Sequence, residues 1–197
     1  MAPPKIAELM EGNRSPWAPR FIGLTFVLGG VAWAIIALLV LGNVLAGLDP
    51  PNYALGPASS RIVAGGGAGT WFVMGLLSYL VIGIVGLGLS ALFYQHLEVT
   101  LGTPLTGWRN IAAWIHLLLG GLGAAATSLL MAWAGFQAGA AGLPTNVGGG
   151  GQNAGYIHTN ILSPVVLPIA ALMGVALLGY LAGGIALTTA WMAARKR

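Results

Sequence analysis

The sequence predicts an all-α membrane protein, a single bundle of four transmembrane helices with the N-terminus and the C-terminus cytoplasmic. Three observations carry this expectation. Only 6% of the residues are charged and 57% are hydrophobic, whereas an ordinary soluble domain carries about 25% charged residues. So few charges cannot clothe a soluble surface. From Asn110 to Ala194 there is no charged residue, although a window of only about 20 apolar residues already crosses a hydrocarbon core of about 30 Å. Finally, the basic residues gather beside alternate segments, the asymmetry expected of loops that resist translocation.

Taken in chain order, residues 1–20 read as a cytoplasmic N-terminal arm. It mixes Lys5, Glu8, Glu11, Arg14 and Arg20 with Pro3, Pro4, Pro16 and Pro19, and it leaves room for a short interfacial helix from Lys5 to Gly12. No short apolar region followed by a small-residue cleavage site is present, so no removable signal peptide is expected. The helices are predicted over about 21–48, 70–94, 108–136 and 163–193, each long enough to cross with some tilt. Turn chemistry separates them: Asp49-Pro50-Pro51-Asn52, the Gly65 to Gly67 run, Gly102-Thr103-Pro104, and the long Gly139 to Gly155 stretch, since proline and glycine end helices. Asp49 reads as a helix end. The whole chain, 1–197, is taken as one domain without internal repeats.

Orientation follows from the eight Lys and Arg residues. Lys5, Arg14 and Arg20 lie in the arm, Arg109 beside the second loop, and Arg195, Lys196 and Arg197 in the tail; only Arg61 falls in the first or third loop. Both termini and the second loop are therefore expected in the cytoplasm, and the chain in the cell membrane. Trp17, Trp71, Trp108 and Trp191 stand near segment ends, where an aromatic belt places them. The pI near 9.9 thus reflects topology, and nucleic acid is not an expected partner. Zero cysteines exclude disulfides, thiolate metal sites and cysteine nucleophiles.

Histidines supply the first candidates for chemistry. His96 falls at the cytoplasmic end of the second helix, and His116 about two turns into the third, which starts on that same side. Antiparallel neighbours could point these imidazoles at one another, and a haem b would need both on opposite faces of one porphyrin at matching depth. His116 sits roughly 10 Å deeper than Trp108 at 1.5 Å per residue, so the depths match poorly. The plainer alternative is an interfacial His96 and a His116 hydrogen-bonded between helices, because an intramembrane ionisable side chain needs a partner. His158, in the loop before the fourth helix, would cap that helix or face a partner. Glu98 and Arg109 flank the second loop and could pair across it. No two carboxylates are spaced for acid and base work, no Glu-x-x-His pair occurs, and no metal site is expected.

The 32 glycines include small-residue faces suited to close helix association: Gly83 and Gly86 with Ser90, Gly120 and Gly121 with Gly123 through Ala126, and Gly179 with Gly183. The run Gly148 to Gly151 lacks the Lys and Ser or Thr of a phosphate loop and reads as flexible outer loop.

One stretch carries a family likeness. Trp114-Ile115-His116-Leu117, the patch Gly120-Gly121-Leu122-Gly123, then Ser128-Leu129-Leu130-Met131-Ala132-Trp133-Ala134-Gly135 and Gly142-Leu143-Pro144 together resemble the last helices of haem-copper oxidase subunit I. The likeness runs from Asn110 to Ala194. Nothing here corresponds to the copper-ligating His pair or the His-x-His haem ligands of that family, and His116 matches a position that is not a redox ligand there. What the resemblance implies is an accessory membrane subunit of a terminal oxidase, like the extra subunits of archaeal enzymes, not itself catalytic and without a cofactor of its own. Its partners would be the other membrane subunits and lipids, in an archaeal or bacterial respiratory chain. Two further readings stand beside it. One is a membrane cytochrome or quinone-binding subunit using His96 and His116. The other is a small transporter or channel, for which Asn43, Ser78, Tyr79, Thr127, Ser128 and Thr188 supply a thin polar lining.

Overall fold

The computed structural model describes residues 14–49 and 56–195. The interfacial helix considered for Lys5 to Gly12 lies outside the described residues, as do Lys196 and Arg197. Among the described residues the protein is all-helical, with no strand. In chain order the elements are α1 (Ala18–Leu48) and a short α2 (Ser59–Val63), then α3 (Gly67–Thr100), α4 (Trp108–Gly142) and α5 (Ala154–Ala194). The helices α1, α3, α4 and α5 are each long and apolar enough to cross a membrane, which makes this a multi-pass membrane protein by architecture.

All four of these helices exceed their expected bounds, α1 by only three residues. α5 departs most, because Ser163-Pro164 has the sequence of a helix start. The structure instead begins the helix at Ala154, where the Asn153 side chain accepts a hydrogen bond from the Tyr156 amide at 2.9 Å, a normal N-cap. His158 therefore does not cap the helix; it is exposed within the second turn. Residues His158–Leu162 wind as a wider π turn, and that extra width accommodates a proline ring that would otherwise press on the carbonyl four residues back. At 41 residues α5 runs to about 60 Å at 1.5 Å per residue, well beyond one hydrocarbon core.

Glycines set the helix pairing. A Cβ on Gly75 would overlap the Ala132 backbone and the Ser128 carbonyl, and one on Gly135 would overlap the backbone of Trp71 and Phe72. Stepping toward the C-terminus of α3 thus means stepping toward the N-terminus of α4, an antiparallel pair in backbone contact. The same relation joins α4 to α5: Gly123 faces Ala176, Gly120 faces Gly179, and His116 faces Gly183. α4 is consequently the central helix, with 56% of its apolar window buried against 11% for α1 and for α5.

α1 is held mainly along its first half. Phe21 and Leu28 enter a core with Tyr79, Leu87, Tyr94 and Ala113, and Tyr79 donates its hydroxyl to the Leu28 carbonyl at 2.8 Å. Further along, Trp33 (73% exposed) and Leu38 face outward. The helix ends at Asp49, as expected, and its last turns are tied to α2, whose Ser60 amide donates to Asn43 Oδ1 at 2.9 Å. A second, smaller core at this end joins Ala134, Ala138 and Leu162 with Trp71, Ile157 and Ile161.

Two connections differ from their expected character. The Gly148 to Gly151 run, expected as a free outer loop, is bonded back to the end of α4: the amides of Gly150, Gly151 and Gln152 donate to the carbonyls of Ala140, Leu143 and Ala141 at 2.8–3.1 Å. These bonds satisfy carbonyls that the end of α4 would leave open, and Gly148, at φ 81°, makes the turn that permits them. At the opposite end, Trp17 is not a boundary anchor. It is 1% exposed because Ser15 folds the chain back over the bundle before α1 begins: the Trp17 and Ala18 amides donate to its Oγ at 3.2 and 2.9 Å. Trp108 and Trp191 are exposed, whereas Trp71 is half-buried.

Candidate functional site

The one buried histidine among the described residues, His116, lies where α1, α3, α4 and α5 meet. α4 delivers it, and a π turn begins there, His116–Leu122. α3 supplies its polar partners: the Tyr94 hydroxyl is 3.1 Å from Nδ1 and the Ser90 hydroxyl 3.5 Å from Nε2. Ser90 already donates its only proton to the Gly86 carbonyl at 2.8 Å, so toward the imidazole it can only accept. Hydrogen-bond accounting therefore places a proton on Nε2; in the neutral ring Nδ1 then accepts from Tyr94.

Aromatic rings enclose the remainder. Phe21 lies 5.0 Å from the imidazole and stacks on Tyr94 at 4.8 Å. Tyr180 of α5 meets the imidazole edge-on at 5.5 Å and donates its hydroxyl to the Ile82 carbonyl at 3.1 Å. Trp17 caps the group, 5.9 Å from Tyr94 and 5.2 Å from Trp114, and the Arg20 guanidinium lies over both indoles at 4.6 and 5.0 Å. On the α5 side the space for the imidazole is the missing side chain of Gly183, whose Cβ would land within the ring.

His96 stands elsewhere. It is exposed, on a groove it shares with Phe93 and Leu97 of α3 and with Leu187, Thr188 and Trp191 of α5. The structure does not bring the two imidazoles together. A haem b held between them would need His116 to give up Tyr94 or Ser90 and His96 to turn inward, so these residues do not fit two axial ligands on one porphyrin.

Glu98 and Arg109 do not pair with each other either. Glu98 Oε2 accepts from the Ser15 hydroxyl and from the Trp17 amide, the latter at 3.3 Å, which fastens the end of α3 to the start of α1. Arg109 turns the other way, toward α5, and donates from Nη2 to the Thr189 carbonyl at 3.2 Å. Glu98 Oε1 and Arg109 Nε are buried without a hydrogen-bond partner among the described residues.

At the predicted packing glycines the space differs. Gly179 and Gly183 each meet a neighbour closer than a Cβ could tolerate; Gly120 and Gly123 are tight, with their nearest neighbours at 3.1 Å, and Gly121 meets the ends of the Leu87 and Leu24 side chains, whereas Gly83 and Gly86 have room for a methyl, their nearest neighbours lying at 3.7 and 3.6 Å. Sequence reasoning passed over Gly75, Gly135 and Gly139, the last pressed against Ile62 of α2. A signal existed, since Gly135 and Gly139 have the four-residue spacing of small-residue contacts, but the expected helix end at 136 falls between them and puts Gly139 in the loop. It also passed over Tyr94, Phe21 and Tyr180 as the surroundings of His116.

No protein-family model, curated protein or solved structure matches the chain.

Proposed function

We propose that this chain is a non-catalytic subunit of a membrane respiratory complex, a haem-copper terminal oxidase by the resemblance of Asn110 to Ala194, with both termini in the cytoplasm. The observation that carries the non-catalytic reading is the internal commitment of His116. Both its nitrogens are engaged by α3 and its ring fills the gap left by Gly183, so the one intramembrane imidazole is used to lock helices together. Support for a subunit role comes from the outer faces of α1 and α5, which carry large apolar side chains along their length, Phe26, Trp33, Leu38, Leu167 and Leu178 among them. Such faces suit either lipid or neighbouring helices. Cytoplasmic termini are supported by the basic residues at that end, Arg14, Arg20, Arg109 and Arg195 among the described ones.

Purification in mild detergent, with mass spectrometry of the co-migrating proteins, tests the reading. The expected outcome is a stable assembly containing haem-bearing subunits, with no b-type band in the reduced-minus-oxidised spectrum of this chain alone. A chain that runs as a lone monomer from its native membrane overturns it.

A further inference from the structure

Outside the His116 cluster, the groove between α3 and α5 has a polar mouth and an apolar floor. It is bounded by Phe93, His96, Leu97, Leu187, Thr188 and Trp191, encloses about 530 Å³, and is open at Gly184, where an added Cβ would meet nothing within 4 Å. Across Gly184 and Thr188 it meets a second hollow of about 390 Å³ that reaches Tyr180. Measured along α5, Trp191 to Tyr180 is about 16 Å at 1.5 Å per residue. Half a hydrocarbon core is about 15 Å, so the combined groove is as long as one leaflet is deep.

Among the described residues, the charge at the mouth has one sign. The Arg195 guanidinium lies over the Trp191 ring at 4.6 Å, and Lys196 and Arg197 follow it in the sequence. Among the described residues no carboxylate lines either hollow, and Glu98, which follows Leu97, is bonded to Ser15 and the Trp17 amide. We infer that this groove holds one acyl chain of an anionic phospholipid, with the phosphate at the mouth near Arg195 and His96. A zwitterionic lipid would place its own cation against these. The site is independent of whether the chain belongs to an oxidase.

Native mass spectrometry of the full chain, released from micelles holding equimolar phosphatidylglycerol and phosphatidylcholine, tests this directly. The wild type is expected to retain one phosphatidylglycerol in about fivefold preference, the scale of about 1 kcal/mol for a basic side chain at a charged membrane surface. Arg195→Gln should erase most of that preference while lipid binding persists. Gly184→Leu should fill the groove and remove the adduct, and Thr188→Leu serves as the second blocking variant should Gly184→Leu fail to fold. Gly174→Leu, on the same helix and equally unobstructed, should change nothing. Equal retention of the two lipids, or an adduct unaffected by both blocking variants, overturns the proposal. So does a dimer mass that Gly184→Leu abolishes, because the occupant would then be a second copy.

Discussion

Substituting Gly179 by alanine should weaken the packing of α4 against α5. The added Cβ would lie 2.5 Å from Gly120 Cα and 2.6 Å from the Leu119 carbonyl carbon. Carbon atoms pack at about 3.5–4.0 Å, so the helices must part by about 1 Å, and the obstacle is backbone that no rotamer change can remove. A gap of that size forfeits roughly a quarter to a half of the dispersion energy of the atoms lining it, and overpacking typically costs about 1–3 kcal/mol. Against this stands a gain of about 1 kcal/mol from replacing a helical glycine with alanine. A net loss of about 1 kcal/mol follows, rising to about 2 at the upper end of the overpacking cost, or roughly five- to thirtyfold in the folded-to-unfolded ratio. Unfolding by sodium dodecyl sulfate in mixed micelles, followed by tryptophan fluorescence, measures it. The control is Gly184→Ala, five residues on in an open position, which should be neutral or slightly stabilising. If the two variants unfold together, the contact between α4 and α5 is not as close as the structure has it.

Three further substitutions probe the other ties. Tyr94→Phe leaves His116 Nδ1 as a buried acceptor without a donor and should cost about 1–3 kcal/mol in the same titration. Tyr180→Phe removes only a bond to the Ile82 carbonyl and should cost less; equal losses would refute the role given to Tyr94. Ser15→Ala removes the hydroxyl that receives two amides and bonds Glu98; the expected loss is about 1 kcal/mol, with a red-shifted tryptophan emission as Trp17 meets solvent, and an unshifted spectrum would count against the fold-back. Because the chain has no cysteine, Asn146→Cys and Arg195→Cys report topology cleanly. A membrane-impermeant maleimide should label the first in intact cells and the second only after lysis, and the reverse pattern would invert the proposed orientation.

The helices were legible because their signals are compositional. Charge-free tracts and Pro-Gly punctuation placed all four long helices, and Asp49 ended the first where its sequence said it would. Their extensions were not legible, since Val99 and Thr100, or Ala138 to Ala141, read equally well as loop until a neighbouring helix or a returning amide satisfies them. Trp17 shows the same limit. Its position beside Pro16 and Arg20 suits an interface, and only the long-range bond from Ser15 to Glu98 draws it inward. Glu98 and Arg109, close in sequence, point different ways because Glu98 faces the Ser15 to Trp17 fold-back before α1 whereas Arg109 faces Thr189 of α5.

Which face of each helix turns inward was hidden for a more general reason. A soluble helix declares its buried side by a stripe of apolar residues, but these helices are apolar all round, and π turns at Tyr79–Val85 and His116–Leu122 shift the phase of everything that follows. With lipid as apolar as the interior, small residues and polar partners decide the packing. His116 combines the two. An imidazole in this setting needs donors and acceptors, which α3 supplies through Tyr94 and Ser90, and it needs volume, which α5 supplies by carrying glycine at 183. Neither provision is visible from the sequence around His116 itself. Each becomes visible only once α4 is known to run antiparallel to both neighbours, because that relation alone sets residues 90, 94 and 183 at the depth of residue 116.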